Sequence, residues 1–310
     1  MFYQFTKESI GETAPEKISE EFFTAGYLSV GDLISMNPLF GFDENTINAC
    51  RDANAFFRSG VEVHDKYTFT ELRIMNAHEE DDDYIALFLK KNFMLVVDIS
   101  DEDGSTKNKY LSAIGRYSPG KANCEKVLAA FLDSLLSGDH GVLEAIEFEL
   151  TEQEEALLEK HTDKDFSINL LRIKKELSKR HSYYAQLLDI ADAVYENDND
   201  IFEDANLMYV DNVSKRIARL REDTMGLIST VDHLQDAYSS FLDSNMNNTM
   251  KIFTVLTSIF FPLTIIVGWY GMNFQYMLEF GWRFGYIYVI ALSVVTVLVF
   301  AIIGKRKKWF

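Results

Sequence analysis

The chain reads as an α+β cytosolic domain followed by a very long helix and two C-terminal transmembrane helices. Three observations predict this. Strand-like alternation fills the first third, a heptad-spaced apolar seam begins near residue 210, and two charge-free apolar stretches lie near the C-terminal end.

Residues 1–120 read as the strand-rich α/β part of the cytosolic domain. Val61, Val63, Tyr67 and Phe69 alternate, and Tyr84–Leu89, Lys90-Lys91-Asn92 and Phe93–Ile99 form a hairpin pattern. Asp101-Glu102-Asp103-Gly104-Ser105 then reads as a turn, and helix signals are few after Pro38. Residues 121–203 change to helical periodicity, with helices expected at Cys124–Leu136, Val142–Lys160 and Phe166–Tyr195.

A stalk helix is expected over 204–270, continuing into a first span at about 252–270. Its seam runs Val210, Val213, Ile217, Leu220, Thr224, Leu227, Val231, Leu234, Tyr238 and Phe241, spaced alternately by three and four. More than four heptads of that kind indicate coiled-coil-like packing on another helix, in this chain or a neighbour. One helix from Val210 to Tyr270 would be roughly 90 Å long at 1.5 Å per residue.

Ile252–Tyr270 and Tyr286–Gly304 each hold 19 residues without a charge. About 20 apolar residues cross a bilayer core, so both are candidate spans. They bracket an extracytoplasmic loop, 271–285, and a basic tail, 305–310, follows the second span. Lys305, Arg306, Lys307 and Lys308 abut that span, which places the tail, and with an even number of spans both termini, in the cytosol. The first residues lack the basic and apolar regions of a secretory signal. Two cysteines, Cys50 and Cys124, are too few for a disulfide framework.

The chain carries a net charge of -18. From residue 251 on, six basic residues face Glu279 alone, a net of +5, so the first 250 residues carry -23. Such acidity excludes nucleic acid as a partner and favours cations; solubility alone is the plainer explanation.

A second stripe enters the bilayer on the stalk helix: Asn247, Met250, Thr254, Thr257, Phe261, Thr264, Gly268 and Gly271. Six of the eight are Asn, Thr or Gly, an odd composition for a surface facing lipid. Close helix packing is one explanation, and a pore lining is the other. Two spans cannot enclose a pore alone, so the second explanation requires a homo-oligomer.

Gly271-Met272-Asn273, set in Tyr270-Gly271-Met272-Asn273-Phe274, with Pro262-Leu263-Thr264 before it and Lys305-Arg306-Lys307-Lys308-Trp309 at the tail, resembles the CorA magnesium channels. That family's signature is a Gly-Met-Asn tripeptide after the first of two C-terminal spans. The likeness is dense over 238–310 and diffuse before. It implies a funnel-shaped homopentamer in the cell membrane, in contact with lipid, whose long helix lines a pore for Mg2+, with Co2+ and Ni2+ as further divalent cargo. Gly271, Met272 and Asn273 match the selectivity filter, Asn247, Met250, Phe261 and Thr264 fall where the family lines its pore, with Phe261 at a gate position, and Glu279 is the outer-loop carboxylate. Asn37-Pro38-Leu39 with Asp43, and Asp211 on the long helix, resemble the acids that hold a regulatory Mg2+ between subunits. The chain departs from the family at Gln275 and Leu278 in the outer loop and at Asn37, where the family has His.

The remaining motifs point to no enzyme. Gly115-Arg116-Tyr117-Ser118-Pro119-Gly120-Lys121-Ala122 approaches a phosphate-binding loop, but Ala122 stands where a hydroxyl should hold magnesium. The six histidines show no metal-ligand spacing. Glu79–Asp83 and Glu196–Asp200 read as solvated turns. Two rival functions stand beside the magnesium channel: a zinc-carrying relative, and a membrane-anchored coiled-coil sensor or scaffold.

Overall fold

The computed structural model describes residues 1–51, 60–75, 82–162, 165–272 and 281–306. These divide into two compact units, 1–234 and 235–310.

The first unit is built on a seven-stranded sheet, in the order β2-β1-β3-β7-β6-β5-β4. The strands are β1 Phe2–Phe5, β2 Ile10–Glu12, β3 Phe23–Ser29, β4 Val61–His64, β5 Tyr67–Ile74, β6 Asp83–Lys90 and β7 Phe93–Ser100. All neighbours are antiparallel except β3 and β7, which run parallel with Gly26 opposite Leu95. The hairpin expected around Lys90-Lys91-Asn92 joins β6 to β7, and Asn92 takes the left-handed conformation that its turn needs.

Both faces of the central strands are buried, which explains why Ile85–Leu89 and Phe93–Val97 are nearly unbroken apolar runs. Phe93, Leu95 and Val97 pack with Ala86, Phe88, Phe42 and Ile47 beneath α1 (Val30–Phe40) and α2 (Glu44–Arg51). Met94, on the opposite face, accepts at its carbonyl from the hydroxyl of Tyr110, which lies on α3 (Ser105–Gly115). Gly26 is confined by its neighbours: a Cβ there would lie 2.7 Å from the Phe2 ring and 2.9 Å from Leu95.

Helix α3 is the element the reading of residues 101–120 did not contain. Its N-terminus is held both by acids of the preceding turn, Asp103 and Asp101, which accept from the Ser105 and Lys107 amides, and by a tertiary acceptor. Gly104 at the N-cap carries no side chain, while Asp83 from β6 accepts from Ser105 and Thr106. The helices that follow are α4 Cys124–Leu135, α5 Asp139–Leu158, α6 Phe166–Glu196, α7 Asp204–Tyr270 and α8 Gly285–Arg306.

Within the first unit α6 lies on β4 and β5, and α7 runs antiparallel along α6. Polar pairs mark this register: Lys174 with Asp232 at 2.6 Å, Arg221 with His181 at 3.4 Å and Ser214 with Asp192 at 2.9 Å. Between them Val210, Val213, Ile217, Leu220, Thr224, Val231 and Leu234 are buried. The seam's partner over this length is therefore in the same chain. Two asparagines close the helix ends by one device: Asn37 and Asn197 each accept from the amide and donate to the carbonyl of the phenylalanine five residues on, Phe42 and Phe202.

The second unit holds the remainder of α7 and α8. Both are long and apolar enough to cross a membrane. Val255, Ile259, Pro262, Ile266 and Tyr270 on α7, and Val289, Ser293, Thr296 and Phe300 on α8, are half-buried at spacings of three and four.

Candidate functional site

The stripe Asn247, Met250, Thr254, Thr257, Phe261, Thr264, Gly268 and Gly271 lies on one face of α7 in the second unit, and all eight residues are exposed. At about 100° per residue this face lies roughly 160° around the helix from the half-buried one. Met250 is 59% and Phe261 69% exposed, so the stripe's bulky apolar members are as uncovered as its polar ones.

The three threonines share one hydrogen-bond arrangement. Thr254 Oγ1 donates to the Met250 carbonyl, Thr257 to that of Phe253 and Thr264 to that of Phe260, each at 2.8 Å. A hydroxyl whose proton is spent on its own helix turns oxygen lone pairs outward. The stripe thus presents acceptors: neutral oxygen, no carboxylate and no cation between Asn247 and Gly271 except Lys251, which is off the stripe.

At its end the stripe meets a steric requirement. Gly271 donates to the Val267 carbonyl at 2.8 Å, and a Cβ on Gly271 would sit 2.8 Å from that same oxygen. A side chain there would push the last turn of α7 out of place. Met272 is exposed, and its amide reaches the Trp269 carbonyl at 3.4 Å. Asn273 and Glu279, with Gln275 and Leu278, lie outside the described residues.

In the first unit Asp43 is exposed at the start of α2 and accepts from the Asn45 amide at 2.8 Å, while its own amide donates to the Tyr67 hydroxyl. Asp211 on α7 is ion-paired with Lys215 at 2.6 Å, and this pairing raises the Lys215 pKa. Among the described residues of one protomer, neither belongs to a group of three close metal-ligating side chains. Asn37 spends both ends of its amide on Phe42 and is a structural clamp.

Sequence reading placed Asp83 and the pair Asp101, Asp103 in separate turns. Pairing of Tyr84 with Ser100 brings their carboxylates together, within 4.8 Å of one another. Asp83 accepts from Ser105 and Thr106, Asp101 from the Tyr27 hydroxyl and the Lys107 amide, and Asp103 from the Ser105 amide. Three acids thus accept from two amides and two hydroxyls at the N-terminus of α3 and from the Tyr27 hydroxyl, where negative charge is favoured by the helix end. Burial raises the pKa of neighbouring Asp98, and the charge of Asp101 raises it further. No sequence signal carries this grouping, because it depends on strand register.

Comparison with known proteins agrees with the geometry. A family model described as "CorA-like Mg2+ transporter protein" matches residues 30–306. The "Cobalt/magnesium transport protein CorA" of Thermotoga maritima is 28% identical over 287 residues, covering 90% of this chain and 78% of that one. Among solved structures, the CorA magnesium transporter of Methanocaldococcus jannaschii superposes with a TM-score of 0.76 at 19% identity, over 100% of this chain and 99% of that one. The cytoplasmic domain of ZntB from Vibrio parahaemolyticus shares the fold at a TM-score of 0.63 and 13% identity, over 78% of this chain and 97% of that one.

Proposed function

Since this chain belongs to the CorA-like Mg2+ transporter family, we propose that it is a divalent-cation channel of the cell membrane, with Mg2+ as cargo, both termini in the cytosol and the pore formed by the α7 stripes of several copies, five by family resemblance. The observation that supports this most directly is the outward set of hydroxyl lone pairs on Thr254, Thr257 and Thr264. Mg2+ holds its waters tightly in octahedral geometry, so a hydrated ion offers hydrogen-bond donors to the wall it passes. Rings of threonine oxygen accept from those waters without stripping them. Neutral rings also bind weakly enough to let the ion go, whereas a ring of carboxylates in a low-dielectric wall would hold it.

Asn273 supplies the first such ring at the outer mouth, and Gly271 leaves the turn that places it free of side chain. Met250 and Phe261 are the apolar levels of the stripe, where a narrow pore excludes water and closes. Glu279 is the outer carboxylate that collects cations. On the cytosolic side, Mg2+ held between Asp43 of one copy and Asp211 of the next favours the closed state, and falling Mg2+ releases it.

Reconstituted liposomes test the reading. Asn273→Ala abolishes selective Mg2+ uptake while leaving the oligomer intact; Mg2+ flux equal to the parent's would sink the role of Asn273, and absence of flux in the parent would favour a scaffold. Competition by Zn2+ in the same assay decides against the zinc reading if uptake of Mg2+ persists. Changing Asp43 and Asp211 to Asn together shifts inhibition by cytosolic Mg2+ to concentrations roughly tenfold higher, the scale on which a lost charge pair acts; unaltered inhibition counts against that site.

A further inference from the structure

We propose that the first unit also binds a nucleoside polyphosphate, in a groove between the α3–α4 connection and α7. The groove is about 240 Å3 and is lined by Arg116, Tyr117, Asp133, Tyr209, Asn212 and Arg216, among others. Arg116 Nη1 lies 3.3 Å from one oxygen of Asp133, and Arg216 Nη1 meets the other. One acid therefore serves two guanidiniums. Each arginine has five N–H donors in a fork suited to phosphate, and among the described residues most of them are left unused, with both side chains 47% exposed.

Lys126 adds a third cation, its Nζ 5.1 Å from the Tyr209 ring centre. Three cations against one carboxylate reverse, at this spot, the sign of a chain whose net charge is -18. The nearby Asp211 does not restore it, since Lys215 neutralises it. The groove thus carries a local excess of positive charge on a chain whose net charge is negative.

Two aromatic rings give the site its second half. Tyr117 is anchored by its hydroxyl, which donates to the Lys126 carbonyl at 3.1 Å, and Tyr209 is 40% exposed. Rings at the edge of an arginine pair accept a planar base by stacking while the guanidiniums take the phosphates. Asn212 adds an amide to the same wall. Arg116 and Tyr117 belong to the run Gly115–Ala122, which has a phosphate loop's glycines but Ala122 in place of the metal-holding hydroxyl. Binding without hydrolysis is the outcome that composition allows.

Because the groove joins α7 to the α3–α4 connection, a ligand seated there bears on the helix that continues into the second unit. Calorimetric titration of the detergent-solubilised full-length protein tests the proposal, with ATP and with tripolyphosphate, both in EDTA so that no Mg2+ competes. ATP binds, and Arg116→Lys, which keeps the charge but loses the fork, weakens it by about tenfold. Asp133→Asn frees both guanidiniums and tightens it several-fold. Tyr209→Ala weakens ATP and leaves tripolyphosphate unchanged. Tripolyphosphate binding as tightly as ATP would overturn the nucleoside part, and no saturable binding of either anion, or equal affinity in parent, Arg116→Lys and Asp133→Asn, would overturn the whole.

Discussion

Thr224 and Thr257 sit on one helix and make the same bond, from the hydroxyl to a carbonyl four residues back, at 2.7 and 2.8 Å. Thr224, in the first unit, is fully buried in the apolar seam, whereas Thr257, in the second, is exposed. The back-bond silences the donor in both. In the seam this lets a hydroxyl be buried cheaply beside leucine and isoleucine, because its one proton is satisfied. In the stripe it leaves the acceptor side facing out, available to whatever occupies that space. The difference between the units follows from this: the first turns its polar groups on each other, as Arg180 does with Asp139 and Glu176, and the second keeps a row of them open.

The sharpest way to break this comparison is to empty the seam. Ile217 is fully buried, and Ile217→Ala should cost about 3 kcal/mol, the usual scale for a large core truncation, read as a lowered Tm of the solubilised protein. An unchanged Tm would mean that the seam is not the packed core of the α6–α7 pair.

Thr257→Val and Thr224→Val then set the two surfaces against each other. Both replace a hydroxyl by a methyl of similar size. At Thr257 the fold is unaffected, and Mg2+ uptake into liposomes falls by about tenfold, one ring of neutral hydrogen bonds being worth about 1.4 kcal/mol to the passing ion. At Thr224 uptake is unchanged and stability moves by less than about 1 kcal/mol. Equal effects on uptake would erase the distinction.

The smallest effect belongs to Asp98. Burial raises its pKa in the folded protein, so the folded state binds the proton more tightly than the unfolded chain. Stability is therefore lost as pH climbs from the ordinary carboxylate value through the raised one. Asp98→Asn removes that loss: its Tm exceeds the parent's at neutral pH, and the gap closes below about pH 4, where the parent's carboxyl is protonated in both states. A gap that persists in acid would assign the effect to packing instead.

Much of the second unit was legible because its determinants are local. The absence of charge over 19 residues, the spacing of the threonines and the Gly-Met-Asn tripeptide are properties of short segments, and Gly271 at the end of α7 now has a steric reason in the Val267 carbonyl. The β6–β7 hairpin was legible for the same reason, a two-residue turn between apolar runs. Helix α3 was not, since the local acids Asp101 and Asp103 that cap it read as a turn and the further acceptor for Ser105 and Thr106 is Asp83, more than twenty residues upstream. The seam from Val210 to Leu234 announced that a helix was needed to cover it and did not say which.

What the sequence determined by itself is the kind of surface each segment carries: apolar spans, a polar stripe within one of them, an apolar seam below. What only the tertiary structure decided is what meets each surface. α6 covers the seam, β3 pairs in parallel with β7 across some seventy residues of chain, and Asp83 joins Asp101 and Asp103. The reason is physical. Hydropathy and spacing act through neighbours along the chain, whereas burial and charge grouping depend on residues brought together by the register of strands and helices far apart in it.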